Sequence, residues 1–164
     1  MTACGKNGDA IKSITTTTTT SITPSQSENE QPEIEPLPVP EGGWTAEELA
    51  KIGVDANYPL SGSYCLMNDI SLSAYGENYN NGEGWAPIGN DTNEFTGIFD
   101  GNGHEISDLY INREADYQGL FGYVMAGEIR NLGVVDVDVT GNIDVGGLVE
   151  TNCNGGSLNT SYLD

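Results

Sequence analysis

The chain's only histidine is followed by a glutamate, and such a pair begins the H-E-x-x-H signature of zinc peptidases. His104-Glu105 lies in "FDGNGHEISDLYIN", residues 99–112. The signature needs a second histidine four residues after the first, on the same face of a helix, with the glutamate as base. Asp108 holds that position, and the stretch has the pattern of a strand. We therefore predict no zinc peptidase here, and a Gly-Asn turn at residues 100–104.

The charged residues bear on two other classes of enzyme, the polysaccharide lyases and the glycoside hydrolases. A polysaccharide lyase commonly needs a basic group beside a carboxylate, and residues 44–164 contain only Lys51, Arg113 and Arg130. We place these in a helix, beside a turn and outward from a strand, so they form no cluster. Glycoside hydrolysis needs two carboxylates at a suitable separation, and 25 Asp and Glu residues single out no pair. The prediction is a protein that is not an enzyme, with a carbohydrate-active enzyme as the alternative.

Carboxylates in rows can also hold a cation. Asp136 and Asp138 project from the same face of a predicted strand, and Asp144 follows nearby. Oxygen ligands of this kind suit calcium, but no EF-hand spacing and no nonapeptide repeat occurs. We predict a solvated acidic face with no cofactor and no metal, and calcium remains the open alternative.

One loop gathers aromatic side chains. The segment "YGENYNNGEGW", residues 75–85, combines Tyr75, Tyr79 and Trp85 with asparagine and glycine. An exposed loop of this composition suits stacking on a sugar or contact with a protein. The three aromatic residues are therefore candidate ligand contacts, for an extracellular protein or glycan partner. The alternative is an ordinary insertion packed on the rest of the domain.

The charge balance excludes several partners. The 164 residues carry a formal net charge of −20, with only 5 Lys and Arg. Binding to phosphates requires cationic side chains, so nucleic acid and anionic membrane surfaces are not expected partners. No apolar run approaches the roughly 18 residues of a membrane span. Any membrane attachment would therefore pass through a lipid anchor.

The N-terminal region, residues 1–43, differs from the rest. It contains "SITTTTTTSITPSQSENEQPEIEPLPVPEGG", which is too poor in apolar residues to fold and predicts a disordered stalk. The start, "MTAC", resembles the end of a bacterial lipoprotein signal, with Cys4 as the lipidated residue. The resemblance implies an extracellular lipoprotein on the cell surface, whose stalk carries a domain over residues 44–164.

This domain begins with a short helix and continues in strands. In "WTAEELAKIG", Thr45 and Glu48 form a predicted capping box, Leu49 and Ile52 share one face, and Gly53 ends the helix. Short apolar segments broken by glycine, asparagine and aspartate follow it, as in a β protein. In "VVDVDV", residues 134–139, valine alternates with aspartate at the period of a strand.

A repeat predicts the architecture. Three segments align at Gly97-Ile98-Phe99, Gly119-Leu120-Phe121 and Gly147-Leu148-Val149, and the second step is longer than the first, which indicates an insertion between the units. A second alignment point matches the residues Ile106, Ile129 and Leu158, followed two positions later by Asp108, Asn131 and Thr160. A single unit cannot bury its apolar face, whereas stacked units can. We predict an all-β fold, a right-handed parallel β-helix of about three to four turns with an N-terminal cap helix.

These segments resemble the GLUG motif of bacterial surface proteins, which is named for a G-L-any-G core. Gly119-Leu120-Phe121-Gly122 matches the core fully, and Gly147-Leu148-Val149 matches it up to Glu150, which replaces the last glycine. The upstream "WTAEELAKIG" and "GWAPIG" resemble the lead-in to such repeats, so the resemblance covers residues 44–164. It implies a repeat module of secreted or surface-anchored proteins, often adhesin-like.

The function predicted from these features is a non-enzymatic binder or spacer on the cell surface. The alternative is an accessory, substrate-binding region of a larger extracellular peptidase or carbohydrate-active enzyme. Cys65 and Cys153 either pair in a disulfide or are small buried apolar residues. Because the last unit breaks off at "SYLD", we also expect further repeats, or end-to-end self-association through uncovered strand edges.

Overall fold

The fold was obtained as a computed structural model, which describes residues 43–153, 156–159 and 162–163. Cys4 and the predicted stalk up to residue 42 lie outside these residues. The described part consists mainly of short strands with little helix. Its elements are helix α1 (Ala46–Leu49) and strands β1 (Ser63–Cys65), β2 (Ile70–Ser71), β3 (Ile98–Asp100), β4 (Glu105–Asn112), β5 (Phe121–Met125), β6 (Glu128–Arg130), β7 (Gly133–Thr140), β8 (Val149–Cys153), β9 (Ser157–Asn159) and β10 (Tyr162–Leu163).

The strands form three small sheets in which every pair is parallel. The first sheet has the order β1-β3-β6-β9, the second β2-β4-β7-β10, and the third pairs β5 with β8. Successive strands along the chain belong to different sheets, and each strand pairs with one from the next segment. In the first sheet Ser63 pairs with Ile98, Ile98 with Glu128, and Glu128 with Ser157, so the first interval is the longest and the later two are nearly equal.

The short helix packs at the start of the first sheet. The predicted capping box is confirmed, because Glu48 N–H donates to Thr45 Oγ1 at 3.2 Å and Thr45 N–H donates to the Glu48 carboxylate at 3.0 Å. Regular helix ends at Leu49, before the predicted end at Gly53, whose φ of +80° turns the chain. Trp44 Nε1–H donates to the Cys65 carbonyl at 2.8 Å, which ties this segment to β1.

The core is a continuous set of aromatic and aliphatic side chains between the sheets. Phe95 and Phe99 both contact Phe121, with ring centroid distances of 5.1 and 5.2 Å in edge-to-face geometry. Phe99 pairs with Tyr64 on one side and with Ile129 on the other, so large apolar side chains stack from strand to strand. Burial of each such side chain stabilises the fold by about 1.5–3 kcal/mol.

The predicted alternation of β7 is confirmed. Val135, Val137 and Val139 are partly buried, whereas Asp136 and Asp138 are exposed. β7 pairs with β4 over seven positions, which include Leu109 opposite Val137 and Ile111 opposite Val139. This is the longest pairing among the described residues, and it joins aliphatic side chains of successive segments.

The predicted repeat alignment holds for two segments and is wrong for the first. Phe121 pairs with Val149 as expected. Phe99, however, pairs with Ile129, so Gly97 belongs to the first sheet and not to the column of Gly119 and Gly147. The position equivalent to Phe121 in the preceding segment is Ile88. "GWAPIG", which resembles a lead-in, therefore takes the place predicted for "GIF".

The second predicted alignment point has the same error. Ile129 pairs with Leu158 as expected, but Ile106 pairs with Val134 in the second sheet. Asp108 therefore stands beside Asp136 and not beside Asn131, and both aspartates have positive φ, at 59° and 53°. The two sheets are easily confused because both carry an isoleucine with a polar residue two positions later.

A column of glycines explains the true alignment. Gly62, Gly97, Gly127 and Gly156 each stand directly before a strand of the first sheet. A Cβ atom on Gly97 would overlap the carbonyl oxygen of Gly62, and one on Gly127 would lie 3.1 Å from the carbonyl oxygen of Gly97. Only glycine permits such close approach of successive backbones.

Candidate functional site

The aromatic loop predicted from the sequence leaves the second sheet after β2 and returns at Trp85. It contains two 3₁₀ turns, Ser73–Tyr75 and Asn80–Gly82, and Asn80 and Asn81 have positive φ of 50° and 56°. Asparagine tolerates this region better than other residues with a Cβ. Backbone bonds from Gly82 N–H and Gly84 N–H to the Tyr79 carbonyl, at 3.1 and 3.2 Å, close the turn.

The three aromatic residues form a series from the core to the surface. Trp85 is 1% exposed and donates from Nε1 to the Leu120 carbonyl at 3.3 Å. Tyr75 packs on it at a centroid distance of 5.1 Å, and Tyr79 packs on Tyr75 at 4.5 Å. Tyr79 is 44% exposed. The structure thus places Trp85 in the core as an anchor, where it cannot contact a ligand, and leaves Tyr75 and Tyr79 at the surface.

Polar contacts hold the loop in place from the other side. Arg113 donates from Nε to the Trp85 carbonyl at 3.1 Å and from Nη2 to the Gly84 carbonyl at 3.2 Å. Its Nη1 lies 2.8 Å from Glu83 Oε2, which also accepts from Asn80 Nδ2 at 2.9 Å. Arg113 was predicted only to flank a turn; its guanidinium instead joins the loop to the end of β4. The loop is therefore pre-organised.

A carboxylate on the neighbouring helix acts on one of the two tyrosines. Burial, the neighbouring Tyr79 and the carboxylate of Glu47 on α1 together raise the pKa of the Tyr75 hydroxyl. Tyr75 therefore remains neutral at physiological pH. Glu47 is exposed. We call Tyr75 and Tyr79 together the tyrosine face; it is a surface of two aromatic rings with a carboxylate nearby.

His104 and Glu105 form a structural contact between segments. His104 Nδ1 lies 3.0 Å from Asp69 Oδ1, and Glu105 N–H donates to the same oxygen at 3.1 Å. The backbone N–H of Glu105, and then His104, lower the pKa of the Asp69 carboxyl. Glu105 begins β4, as the strand period predicted, so residues 104 and 108 do not share a helical face.

The acidic positions of the second sheet are exposed. Asp136, Asp138 and Asp144 all face solvent. Within the described ranges, no three His, Cys, Asp or Glu side chains are grouped so that they could hold a metal ion. Asp108 instead accepts hydrogen bonds from Ser71 and Ser107 at 2.7 and 2.9 Å, and these bonds lower the pKa of its carboxyl.

The sequence missed a buried ion pair in the first sheet. Asp100 is 6% exposed and accepts from Arg130 Nε at 3.0 Å and from Asn131 Nδ2 at 3.1 Å. It also accepts from Asn102 N–H at 2.8 Å, which is an Asx turn. Arg130 was predicted only to point outward from a strand. The Asp-Gly-Asn sequence at 100–102 was a signal for the turn, but only the correct strand pairing reveals the partner.

The remaining predicted residues are structural. Leu120 and Phe121 are fully buried, and a Cβ on Gly119 or Gly122 would lie 2.6 Å from a neighbouring carbonyl oxygen. Gly147 is buried, and Leu148 and Val149 are partly buried against the core. Gly97 has the separate place described above.

The cysteines do not form the pair that the sequence left open. Cys153 is a free thiol, whose Sγ lies 3.6 Å from the Tyr123 hydroxyl. Cys65 is 2% exposed at the end of β1. The alternative of a Cys65–Cys153 disulfide is therefore not realised.

Comparisons with known proteins find two long relatives. The chain is 44% identical over 93 residues to "Halomucin" of Haloquadratum walsbyi, and 37% identical over 103 residues to a "Putative Gly-rich membrane protein" of Evansella cellulosilytica. The matches cover 54% and 61% of this chain but only 1% and 12% of those proteins. No family model and no solved structure matches the chain.

A helix that crosses a membrane must be long and apolar. In the part of the chain that the structure describes, none of the helical segments has the length and apolar character needed to cross a bilayer.

Proposed function

We propose that residues 44–164 are a non-enzymatic module of GLUG-type repeats, folded as a right-handed parallel β-helix, in a longer surface- or membrane-associated protein. Its role is that of a rigid spacer that presents a binding loop, as in adhesin-like proteins. The observation that carries this proposal is the way in which the named strands pair. Strands of successive segments lie side by side, and every such pair is parallel.

The strand order supports a coil. From β4 to β9 the chain passes twice through the second, third and first sheets in that order, and each of these passages adds one parallel strand to each sheet. In the preceding passage, from β2 to β3, the third sheet is represented by a single parallel bridge from Ile88 to Phe121. A chain that turns in one direction through three sheets is the geometry of a β-helix. The preferred hand of parallel crossover connections favours a right-handed coil.

The GLUG assignment rests on the matching positions in the third sheet. Leu120 N–H donates to the Gly147 carbonyl at 3.1 Å, and Phe121 pairs with Val149. Gly89 and Gly122 are also neighbours, because a Cβ on Gly122 would lie 2.6 Å from the Gly89 carbonyl oxygen. Repeated glycine at this corner permits close stacking of successive turns.

The surface location is drawn from the relatives and the composition. One relative is named a halomucin and the other a Gly-rich membrane protein, and both are much longer than the matched region. A net charge of −20 suits a soluble module outside a membrane. In this proposal Cys4 carries a lipid and residues 1–43 serve as the stalk, which makes the protein an extracellular lipoprotein.

The location and the anchor are tested together in cells that express the protein. Antibodies against residues 44–164 should label intact cells, and external protease should remove the signal. Metabolic labelling with an alkyne fatty acid should mark the wild type but not the Cys4→Ala variant. A protein that is protected from external protease would contradict the surface role.

The absence of catalysis is tested on the full chain. Incubation with neutral and acidic polysaccharides, and with denatured protein, should release no oligosaccharides or peptides above the level of a buffer control. Product formation that scales with the concentration of this chain would contradict the non-enzymatic assignment.

A further inference from the structure

The tyrosine face lies where the first turn of the chain is longer than the later ones. In the first turn, Ile70 of the second sheet is followed by Ile88 of the third. The corresponding intervals in the next two turns, from Ile106 to Phe121 and from Val134 to Val149, are equal to each other and shorter than the first. The extra residues are not needed to close a turn. They lengthen the loop that carries Tyr75 and Tyr79.

Tyr79 is an unusual surface residue in this structure. The large apolar side chains that are exposed among the described residues are Val54, Met67, Tyr79, Ile143 and Val145, and Tyr79 is the aromatic member. Its ring is supported by Tyr75, and the ring of Tyr75 is supported by buried Trp85. Because the support is fixed, little conformational entropy is lost when a partner contacts the ring.

The charges near this face favour a cationic partner. Glu47 has an exposed carboxylate, and Glu77 lies in the chain between the two tyrosines. Arg113 is the cation that the described contacts place beside the loop. Its guanidinium is already bonded to Glu83 and to two carbonyl groups. A positive group over a tyrosine ring is attracted by the negative face of the ring, and a net charge of −20 adds long-range attraction.

We propose that the tyrosine face binds an arginine or lysine side chain of a protein partner, with the cation over the ring of Tyr79 and Glu47 as its counter-ion. This inference rests on the proposed role as a binding module and names the partner chemistry for it. The affinity of one such contact is low, so the partner would need several cationic side chains along the acidic surface.

A glycan fits this face less well. The rings of Tyr75 and Tyr79 are inclined by 56° to one another, so they do not share one flat platform for a sugar. The carboxylates give no electrostatic gain with a neutral sugar, and they repel uronate or sulfated chains. A neutral glycan is therefore the competing outcome of the test.

The test is an NMR titration of the full chain at physiological salt with the peptide acetyl-Gly-Arg-Gly-Arg-Gly-amide. Cellohexaose is the neutral probe. We expect the peptide to shift the ring resonances of Tyr79 and Tyr75, and cellohexaose to leave them unchanged. Tyr79→Leu keeps apolar area but removes the aromatic face, so it should weaken peptide binding roughly two- to fivefold. Tyr79→Phe should remain within about twofold of the wild type, because it retains the ring.

Charge variants separate this contact from general attraction. Glu47→Gln should weaken peptide binding more than Asp91→Asn, which removes the same charge at an exposed site in another loop. Equal effects of the two charge variants, or no effect of Tyr79→Leu, would overturn the inference, as would ring shifts with cellohexaose alone. Tyr79 is at the surface, so its variants should retain the circular dichroism spectrum of the wild type. A negative result would overturn the tyrosine face as a binding site, but it would not contradict the proposed repeat module. The module is tested separately, by measuring the strand pairing.

Discussion

Replacing Gly97 by alanine perturbs the backbone contact between the first two strands of the first sheet. The new Cβ would overlap the Gly62 carbonyl oxygen and lie 3.0 Å from the carbonyl carbon and nitrogen of that residue. These are backbone atoms, which cannot rotate away. The bonds from Ile98 N–H to the Gly62 carbonyl and from Gly97 N–H to the Leu60 carbonyl, both 3.0 Å long, would have to lengthen or break.

The size of the effect follows from these contacts. Forced overpacking costs about 1–3 kcal/mol, and each of two weakened backbone bonds contributes about 1 kcal/mol. Alanine lowers the entropy of the unfolded chain and returns about 0.4–1 kcal/mol. We therefore expect Gly97→Ala to lower the free energy of unfolding by about 2–4 kcal/mol. Urea unfolding followed by circular dichroism measures it.

Two further glycine variants serve as controls. Gly103 has φ of +81° and nothing within 4 Å of an added Cβ, so Gly103→Ala introduces backbone strain alone, at about 1–2 kcal/mol. Gly76 has a negative φ, and an added Cβ would meet only the Ser73 carbonyl oxygen, at 3.3 Å. Gly76→Ala should change stability by no more than about 0.5 kcal/mol. If Gly97→Ala were as stable as Gly76→Ala, the close approach of Gly62 and Gly97 would be refuted.

Three further predictions concern charge. Asp100→Ala should destabilise the fold by about 2–4 kcal/mol in urea unfolding, because Arg130 and Asn131 lose a buried acceptor; a change as small as that of the exposed control Asp138→Ala would contradict this. The lowered pKa of Asp108 adds stability above its unfolded pKa of about 3.9, which is lost as pH falls through the lower folded value. The stability advantage of the wild type over Asp108→Asn should therefore shrink between about pH 5 and 2; an advantage that grows on acidification would refute it. Finally, sodium chloride at about 1 M should raise the urea midpoint relative to about 0.05 M, since salt screens the repulsion within a chain of net charge −20; an unchanged midpoint would show that this repulsion is negligible.

Local features were predictable because they depend on neighbouring residues. The capping box of Thr45 and Glu48 needs only its two side chains, and the alternation of residues 134–139 needs only the strand period. The pairing of Phe121 with Val149 was also predicted, since both follow a glycine and a leucine. These agreements all concern contacts within one element or between closely similar segments.

The position of Gly97 was not predictable from the same pattern. Its Gly-Ile-Phe sequence resembles Gly-Leu-Phe at 119–121, yet it starts a strand of another sheet. The distinction depends on backbone crowding against Gly62, which is distant in the sequence. A constant interval between paired strands would have separated the two segments, but the first interval is longer than the later two.

The candidate site was predicted in part for a similar reason. The aromatic composition singled out the loop at 75–85 as a candidate contact, but composition does not tell which ring faces the core. The structure buries Trp85, whose indole N–H reaches the Leu120 carbonyl 35 positions along the chain, and exposes Tyr79. The clamp by Arg113 likewise depends on the loop lying beside the end of β4.

The most direct test of the account measures strand pairing in solution. Through-hydrogen-bond NMR couplings on uniformly labelled chain should connect Glu128 N–H with the Gly97 carbonyl, Leu120 N–H with the Gly147 carbonyl, and Arg113 N–H with the Thr140 carbonyl, where the bonds are 2.9, 3.1 and 3.1 Å long. A second coupling at the other end of each pair fixes the direction: Gly101 N–H with the Arg130 carbonyl, Ala126 N–H with the Cys153 carbonyl, and Gly133 N–H with the His104 carbonyl, where the bonds are 2.8, 3.0 and 3.1 Å long. The two couplings of each pair together require parallel strands from successive segments in all three sheets. Couplings that run in antiparallel order, or that join Gly97 to the segment at 119–121, would contradict the coil on which the proposed module depends.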